Sequence, residues 1–260
     1  MFDRRPAPPR PRIDYETLTA TPPDQLAARM AGPPEQAAPW VEAAAKYGMT
    51  EAQVLWGQMK LDGLGIPRDE AEALEWFRSA AKGGNAAAMN MLGRCHELGR
   101  AVAVDYEAAV RWFRQSAEKG FDWGQYNYAN MLWRGDGVVR DVAAALHWYR
   151  QAATQGHAKS INMVGRFLEE GWEVERDPVE AARLYRLSAE RGDFRGQYNL
   201  AALLTAQGQV EEAARWFREA ARLAHDGFRR TMVPALAARP EPELRAIAHE
   251  IATGLAREAG

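Results

Sequence analysis

Cys95-His96-Glu97 places in a row the three residue types that thiol catalysis uses, a nucleophile, a base and a carboxylate to orient the base. The spacing works against that chemistry. Successive residues of a helix point about 100° apart, so three neighbours do not converge on one atom. Cys95 is also the single cysteine of the chain. A lone thiol forms no intrachain disulfide and no cysteine-rich zinc site, and it reads as a small buried apolar residue. The five histidines, His96, His147, His157, His225 and His249, share no metal-ligand spacing. No phosphate loop, nucleophile elbow or dinucleotide fingerprint is present. The sequence therefore predicts no catalytic residue, no metal and no cofactor: the chain is expected not to be an enzyme.

Two other residue types recur at fixed spacing. Asp69, Asp105, Asp141 and Asp177 are 36 residues apart, and so are Trp40, Trp76, Trp112 and Trp148. The aspartates could be metal ligands and the tryptophans an aromatic cage. Their neighbours favour a structural account. Asp69 has Glu72 three residues on and Asp177 has Glu180, the pattern of a helix capping box. Pro178 fits the first helical position, where a missing N–H costs nothing. Ala73, Trp76, Phe77 and Ala80 fall on one helical face, so the tryptophans are expected to fill the space between helices.

Further columns keep the same phase. Ala73, Ala109, Ala145, Ala181 and Ala213 form one, and Gly63, Gly99, Gly135 and Gly171 another. Gly84, Gly120, Gly156 and Gly192 mark a third. Each unit reads as two helices, the first over segments such as 86–98 and 158–170. Gly57, Gly93 and Gly165, with Ala129 and Ala201 as next smallest, stand where two helices must approach closely. The glycine after the first helix suits a left-handed cap. The aspartate then opens the second helix.

The totals agree with a packed, water-facing protein. The 260 residues are 47% hydrophobic and 26% charged, with a formal net charge of −2. No basic block suggests nucleic-acid binding, and no apolar run approaches the roughly 18 residues of a membrane span. Prolines interrupt the arginines of the N-terminus and no apolar core follows, so that stretch does not read as a secretory signal. The expectation is a cytoplasmic protein.

The run Gly135-Asp136-Gly137-Val138, then Asp141, Ala145, Trp148, Tyr149, Ala152, Ala153 and Gly156, resembles the Sel-one-like repeat, a relative of the tetratricopeptide repeat. Copies fall at about 50–85, 86–121, 122–157, 158–193 and 194–225, with a half-repeat at Trp40–Gly48. The second and fourth copies lack the second loop glycine, Leu184 replaces a tryptophan, and the fifth copy is four residues short between Ala201 and Trp216. The resemblance implies an all-α fold, a right-handed α/α solenoid of about five 36-residue helix-pair repeats with a C-terminal capping helix. It also implies a non-catalytic adaptor or scaffold that binds another protein. Secreted members of the family carry paired cysteines, and this chain has none, which fits the cytoplasmic reading.

Three regions are expected. Residues 1–34 hold eight of the fourteen prolines and read as a Pro-rich, largely disordered arm. Within it Thr21-Pro22-Pro23-Asp24 could open a short helix through Met30, and Pro8-Pro9-Arg10-Pro11-Arg12 could be a recognition segment. Residues 35–225 form the repeat array, and 226–260 the capping helices. In the last helix Leu244, Ile247, Ala248, Ile251, Ala252 and Leu255 step along one face.

By analogy with tetratricopeptide-like solenoids, the first helices line a concave groove that holds a partner segment. The positions expected to face it are Met91, Arg94, Tyr126, Asn127, Asn130, Met163, Arg166, Tyr198 and Asn199, joined by Trp133 one turn later. Amides pair with a peptide backbone and arginine holds a carboxylate by two parallel bonds. The expected partner is thus a protein presenting an acidic segment or a free C-terminus. Two structural alternatives stay open: that Asn127 and Asn199 bond neighbouring helix backbones, and that Arg94 and Arg166 pair with Glu97 and Glu169. A small-ligand or cell-wall-fragment binder is the second functional reading, and it needs a closed, largely apolar pocket.

Overall fold

The computed structural model describes residues 12–259. Among them every regular element is an α-helix. In chain order these are α1 (Tyr15–Ala20), α2 (Pro23–Met30), α3 (Pro34–Lys46), α4 (Thr50–Asp62), α5 (Glu70–Lys82), α6 (Ala86–Leu98), α7 (Tyr106–Glu118) and α8 (Asp122–Arg134). There follow α9 (Val142–Thr154), α10 (Ala158–Glu170), α11 (Pro178–Glu190), α12 (Phe194–Ala206), α13 (Val210–Leu223), α14 (Asp226–Ala237) and α15 (Pro242–Ala259). The chain forms two compact units, Met1–Met131 with Gly135–Val139, and Leu132–Arg134 with Arg140–Gly260.

The aspartate column starts helices, as expected. Asp69, Asp105, Asp141 and Asp177 each accept a hydrogen bond from the backbone N–H three residues on, at 2.9, 2.8, 2.8 and 2.9 Å. Such a cap contributes about 1 kcal/mol. The glutamates of the two boxes bond elsewhere: Glu72 pairs with Lys60 at 2.5 Å, and Glu180 with Arg183 at 2.6 Å. Gly63, Gly99, Gly135 and Gly171 stop the first helices in left-handed conformation, φ 69–79°. Two residues further on, Gly65 and Gly137 are also left-handed, at φ 65° and 67°. The repeats without that glycine keep the turn, so Ala101 and Glu173 adopt φ 62° and 58°.

In the first unit α1 and α2 pack on α3, α3 on α4, α4 on α5, α5 on α6 and α6 on α7. In the second, α9 to α13 pack likewise, and α15 closes against α13 and α14. The small residue of each first helix lies under an aromatic ring of the second. A Cβ at Gly57 would stand 2.6 Å from Phe77, at Gly93 2.5 Å from Phe113, and at Gly165 2.9 Å from Tyr185.

That ring is not the tryptophan. Phe77, Phe113, Tyr149, Tyr185 and Phe217, each one residue after the tryptophan column, are 0–1% exposed. Trp76, Trp112, Trp148 and Trp216 are only half-buried. The 100° step between neighbours turns the indole from the helix–helix axis to its edge. There its N–H can reach a polar group. Trp76 Nε1 donates to Glu72 at 3.1 Å and Trp216 Nε1 to Glu212 at 3.4 Å. The expectation that tryptophan fills the core is corrected to this flanking role.

Within residues 12–34 the chain forms α1 and α2, and α2 runs from Pro23 to Met30, as the Thr21-Pro22-Pro23-Asp24 opening predicts. Asp14 caps α1 by accepting from Thr17 N–H at 2.8 Å. Pro23 and Pro34 occupy first positions of α2 and α3, where proline is compatible with a helix. Leu18 is buried with Val41 and Trp56, and Ile13, Leu26 and Met30 pack around them. The prolines here delimit short helices whose apolar residues find a core. Residues 1–11, with most of the Pro8–Arg12 motif, lie outside the described residues. At the other end Leu244, Ile247, Ala248 and Ile251 are buried and Leu255 is partly so, while Ala252 is exposed. Among the described residues no helix is long and apolar enough to cross a membrane.

Candidate partner-binding face

Cys95 is 1% exposed, and burial pushes its thiol up to about 11. It is a core residue and a poor nucleophile. Desolvation lowers the pKa of neighbouring His96. Among the described residues no three His, Cys, Asp or Glu side chains gather as metal ligands would.

The ten expected groove residues separate into three groups. The asparagines act within the fold. Asn127 Nδ2 donates to Asn90 Oδ1 at 2.8 Å, and Asn199 Nδ2 donates to Asn162 Oδ1 at the same distance. Asn90 and Asn162 are themselves buried. Each bond ties the first helices of consecutive repeats through side chains, not through backbone groups.

A second group is held in ring contacts. Tyr198 packs edge-on against Phe217 at 5.4 Å and Phe228 at 5.5 Å. Tyr126 meets Trp123 at 6.2 Å. Trp133 lies against Trp172 at 4.7 Å and against buried Phe167 at 5.0 Å. Guanidinium groups cover this pair, Arg140 over Trp133 at 5.4 Å and Arg166 over Trp172 at 5.3 Å. Arg140 also donates to the Trp133 carbonyl at 3.0 Å.

The third group is Met91 and Arg94 on α6, Asn130 on α8, and Met163 and Arg166 on α10. Arg94 is exposed and the other four are half-buried. Neither arginine makes an ion pair or hydrogen bond with another described residue. Glu169, the carboxylate expected beside Arg166, instead accepts from the Tyr185 hydroxyl at 2.6 Å. On α6 the stripe Met91, Arg94 and Leu98 combines a charge with apolar flanks, and Leu98 is 54% exposed.

Polar residues that sequence reasoning passed over complete the frame. Ser116 Oγ donates to the Ala86 carbonyl at 2.7 Å and Ser188 Oγ to that of Ala158 at 2.8 Å. Gln53, Gln125 and Gln197 donate to the carbonyls of Ala45, Ala117 and Ala189 at 3.2, 3.5 and 3.3 Å. Their signal is a 72-residue period, twice the repeat length, which also relates Asn90 to Asn162 and Arg94 to Arg166.

Comparison with known proteins agrees with this architecture. Residues 50–85, 86–121, 124–157, 158–193 and 195–225 match the family described as Sel1 repeat. Among solved structures, the chain is similar to c5321, a protective antigen of uropathogenic Escherichia coli with an SLR fold. The identity is 27% over 87% of this chain and 50% of that one, with a TM-score of 0.63. This chain thus spans half the length of that relative. A Sel1 repeat protein from Oxalobacter formigenes is 24% identical over 91% of this chain and 99% of its own, with a TM-score of 0.73. Immunity protein Pa5087 from Pseudomonas aeruginosa is 14% identical over 79% of this chain and 81% of its own, with a TM-score of 0.53. No curated protein matches. The fold class is an all-α solenoid of helix-pair repeats.

Proposed function

The chain belongs to the Sel1 repeat family, and from that premise we propose that it is a non-catalytic scaffold holding a partner protein on the first helices of its repeats. One observation carries the reading. Arg94 and Arg166 occupy equivalent positions two repeats apart, and both keep their guanidinium N–H groups free of described carboxylates. An arginine so placed can hold a carboxylate bidentately. Met91 and Leu98 beside Arg94, and Met163 beside Arg166, add adaptable apolar contact. The partner is a protein segment that carries carboxylates, or its C-terminus, next to apolar side chains. Asn127, Asn199, Tyr198 and Trp133 support the frame on which these groups stand. The reading takes the protein to act in the cytoplasm, where a lone thiol such as Cys95 stays reduced.

The test is affinity capture from the native cell with the wild-type chain and with the double variant Arg94→Glu, Arg166→Glu. Loss of a captured protein at an unchanged thermal midpoint is expected. Undiminished capture by a folded double variant would eliminate both arginines as partner contacts.

A further inference from the structure

Asp193 caps α12, and its two oxygens differ. Oδ2 accepts from the Gly196 N–H at 2.9 Å, with Ser188 Oγ 3.3 Å away. The Ser188 hydroxyl hydrogen goes to the Ala158 carbonyl at 2.8 Å, as that of Ser116 goes to the Ala86 carbonyl at 2.7 Å. Oδ1 is enclosed and accepts from no other described residue. Gln197, on the same first turn of α12, has a matching deficit. Its Nε2 donates to the Ala189 carbonyl at 3.3 Å, while its Oε1 is enclosed and meets no donor among the described residues. Side chains four positions apart lie over one helix face, and both of these reach the same end of α11, at Ser188 and Ala189. Asp193 is 4% exposed and Gln197 2%. Enclosed acceptors without a donor destabilise a fold, and one hydrogen between two of them serves both. A carboxylate only accepts, whereas a protonated carboxyl brings that hydrogen.

We propose that Asp193 keeps its proton in the folded chain and donates it from Oδ1 to Gln197 Oε1, so that the α11–α12 turn is a latch released by proton loss. On ionisation the O–H bond breaks, the proton leaves to water, and two lone-pair oxygens are left facing each other. α4 and α8 carry the same glutamine, Gln53 and Gln125, but have Met49 and Phe121 at the cap, so the carboxyl–amide pair arises at α12. Around Asp193, α10 brings Lys159 and its capping His157, α11 ends at Arg191, and α12 brings Arg195. α13 packs through Phe217 and Ala220, and His225, which caps α14, lies against the Phe194 ring at 5.7 Å. Burial raises the Asp193 carboxyl above the usual range, against the Gly196 N–H and the cations Arg195 and Lys159. The latch uses no residue of the arginine face, so the two readings stand or fall separately.

The full chain, labelled with carbon-13 at aspartate, tests this by titration of the Asp193 carboxyl resonance, assigned from its absence in Asp193→Asn. The midpoint is expected at least about one pH unit above the ordinary value of about 3.9. Gln197→Met keeps the length of the side chain and removes its oxygen. The midpoint of that variant should fall, because the acid loses its acceptor. Burial alone, or a water donating to both oxygens, would leave the midpoint in place or raise it, and either result overturns the shared proton. In Asp193→Asn a side-chain N–H replaces the acid hydrogen, and it should show a through-space contact with the Gln197 side chain. Absence of that contact overturns the pairing even if Gln197→Met does not fold. Hydrogen exchange at the Gly196 amide reads the latch. Relative to Asp193→Asn, wild-type exchange should quicken by up to about tenfold per pH unit from about pH 4 to the midpoint. A ratio that does not change with pH overturns the release.

Discussion

Phe113 is fully enclosed, while Trp112, one residue before it, is half-buried. Phe113→Ala removes a ring seated on Gly93 and should cost about 3–5 kcal/mol. Trp112→Ala removes less shielded surface and should cost about 2 kcal/mol. Urea unfolding of both variants checks the order, and a larger loss from Trp112 would overturn it. Asp193 offers a pH test. It is 4% exposed, and burial raises its carboxyl above the usual range despite the Gly196 N–H it accepts at 2.9 Å. A raised native value means that ionisation disfavours the fold. Stability attributable to this group is complete below the unfolded value of about 3.9 and is lost as pH rises through the native one. Asp193→Asn keeps a capping oxygen, as Asn85 does for α6 at 3.0 Å, and has no charge to bury. The variant should melt higher than the wild type at pH 7 and together with it near pH 3. A lower midpoint at pH 7 would show that the carboxylate itself is needed.

The helix pairs illustrate which local signals are self-sufficient. An aspartate three residues before a free backbone N–H, or a glycine at a left-handed stop, acts through atoms a few bonds away. Such signals placed most helix boundaries of the array from the sequence. The turn after the first helix shows the opposite case. Nothing adjacent to Ala101 or Glu173 demands φ near 60°, yet both adopt it because their repeats keep the turn that Gly65 and Gly137 make. A side chain there costs about 1–2 kcal/mol. Ala101→Gly and Glu173→Gly should each raise stability by about 1 kcal/mol, net of the entropy glycine adds to the unfolded chain. Gly137→Ala should lower it, since its Cβ would lie 2.3 Å from the Tyr106 carbonyl carbon. Thermal midpoints of the three variants settle the sign. The 72-residue alternation of asparagine, serine and glutamine was equally readable as letters, but its meaning lay in bonds between helices.

At the scale of the whole chain, the N-terminal boundary can be measured. Removing residues 1–11 should leave the thermal midpoint nearly unchanged. Removing 1–30 takes away α1, α2 and buried Leu18, whose burial alone is worth about 1.5–3 kcal/mol, and should lower it. Equal midpoints for the two deletions would show that α1 and α2 add nothing. The sequence by itself determined the repeat, its length, its caps and its close helix contacts. Each follows from periodicity and from interactions within a few residues, which any fold of that chain must satisfy. Tertiary structure decided which ring of each Trp-aromatic pair is enclosed, and that Leu18, Leu26 and Met30 find a core. It also decided that Asn127 and Asn199 turn to Asn90 and Asn162, and that Tyr185 takes Glu169 and leaves Arg166 to lie on Trp172. Those outcomes depend on which side chains from distant positions arrive at one point. Hydrogen-bonding capacity is finite, so a group claimed inside the fold is lost to a partner.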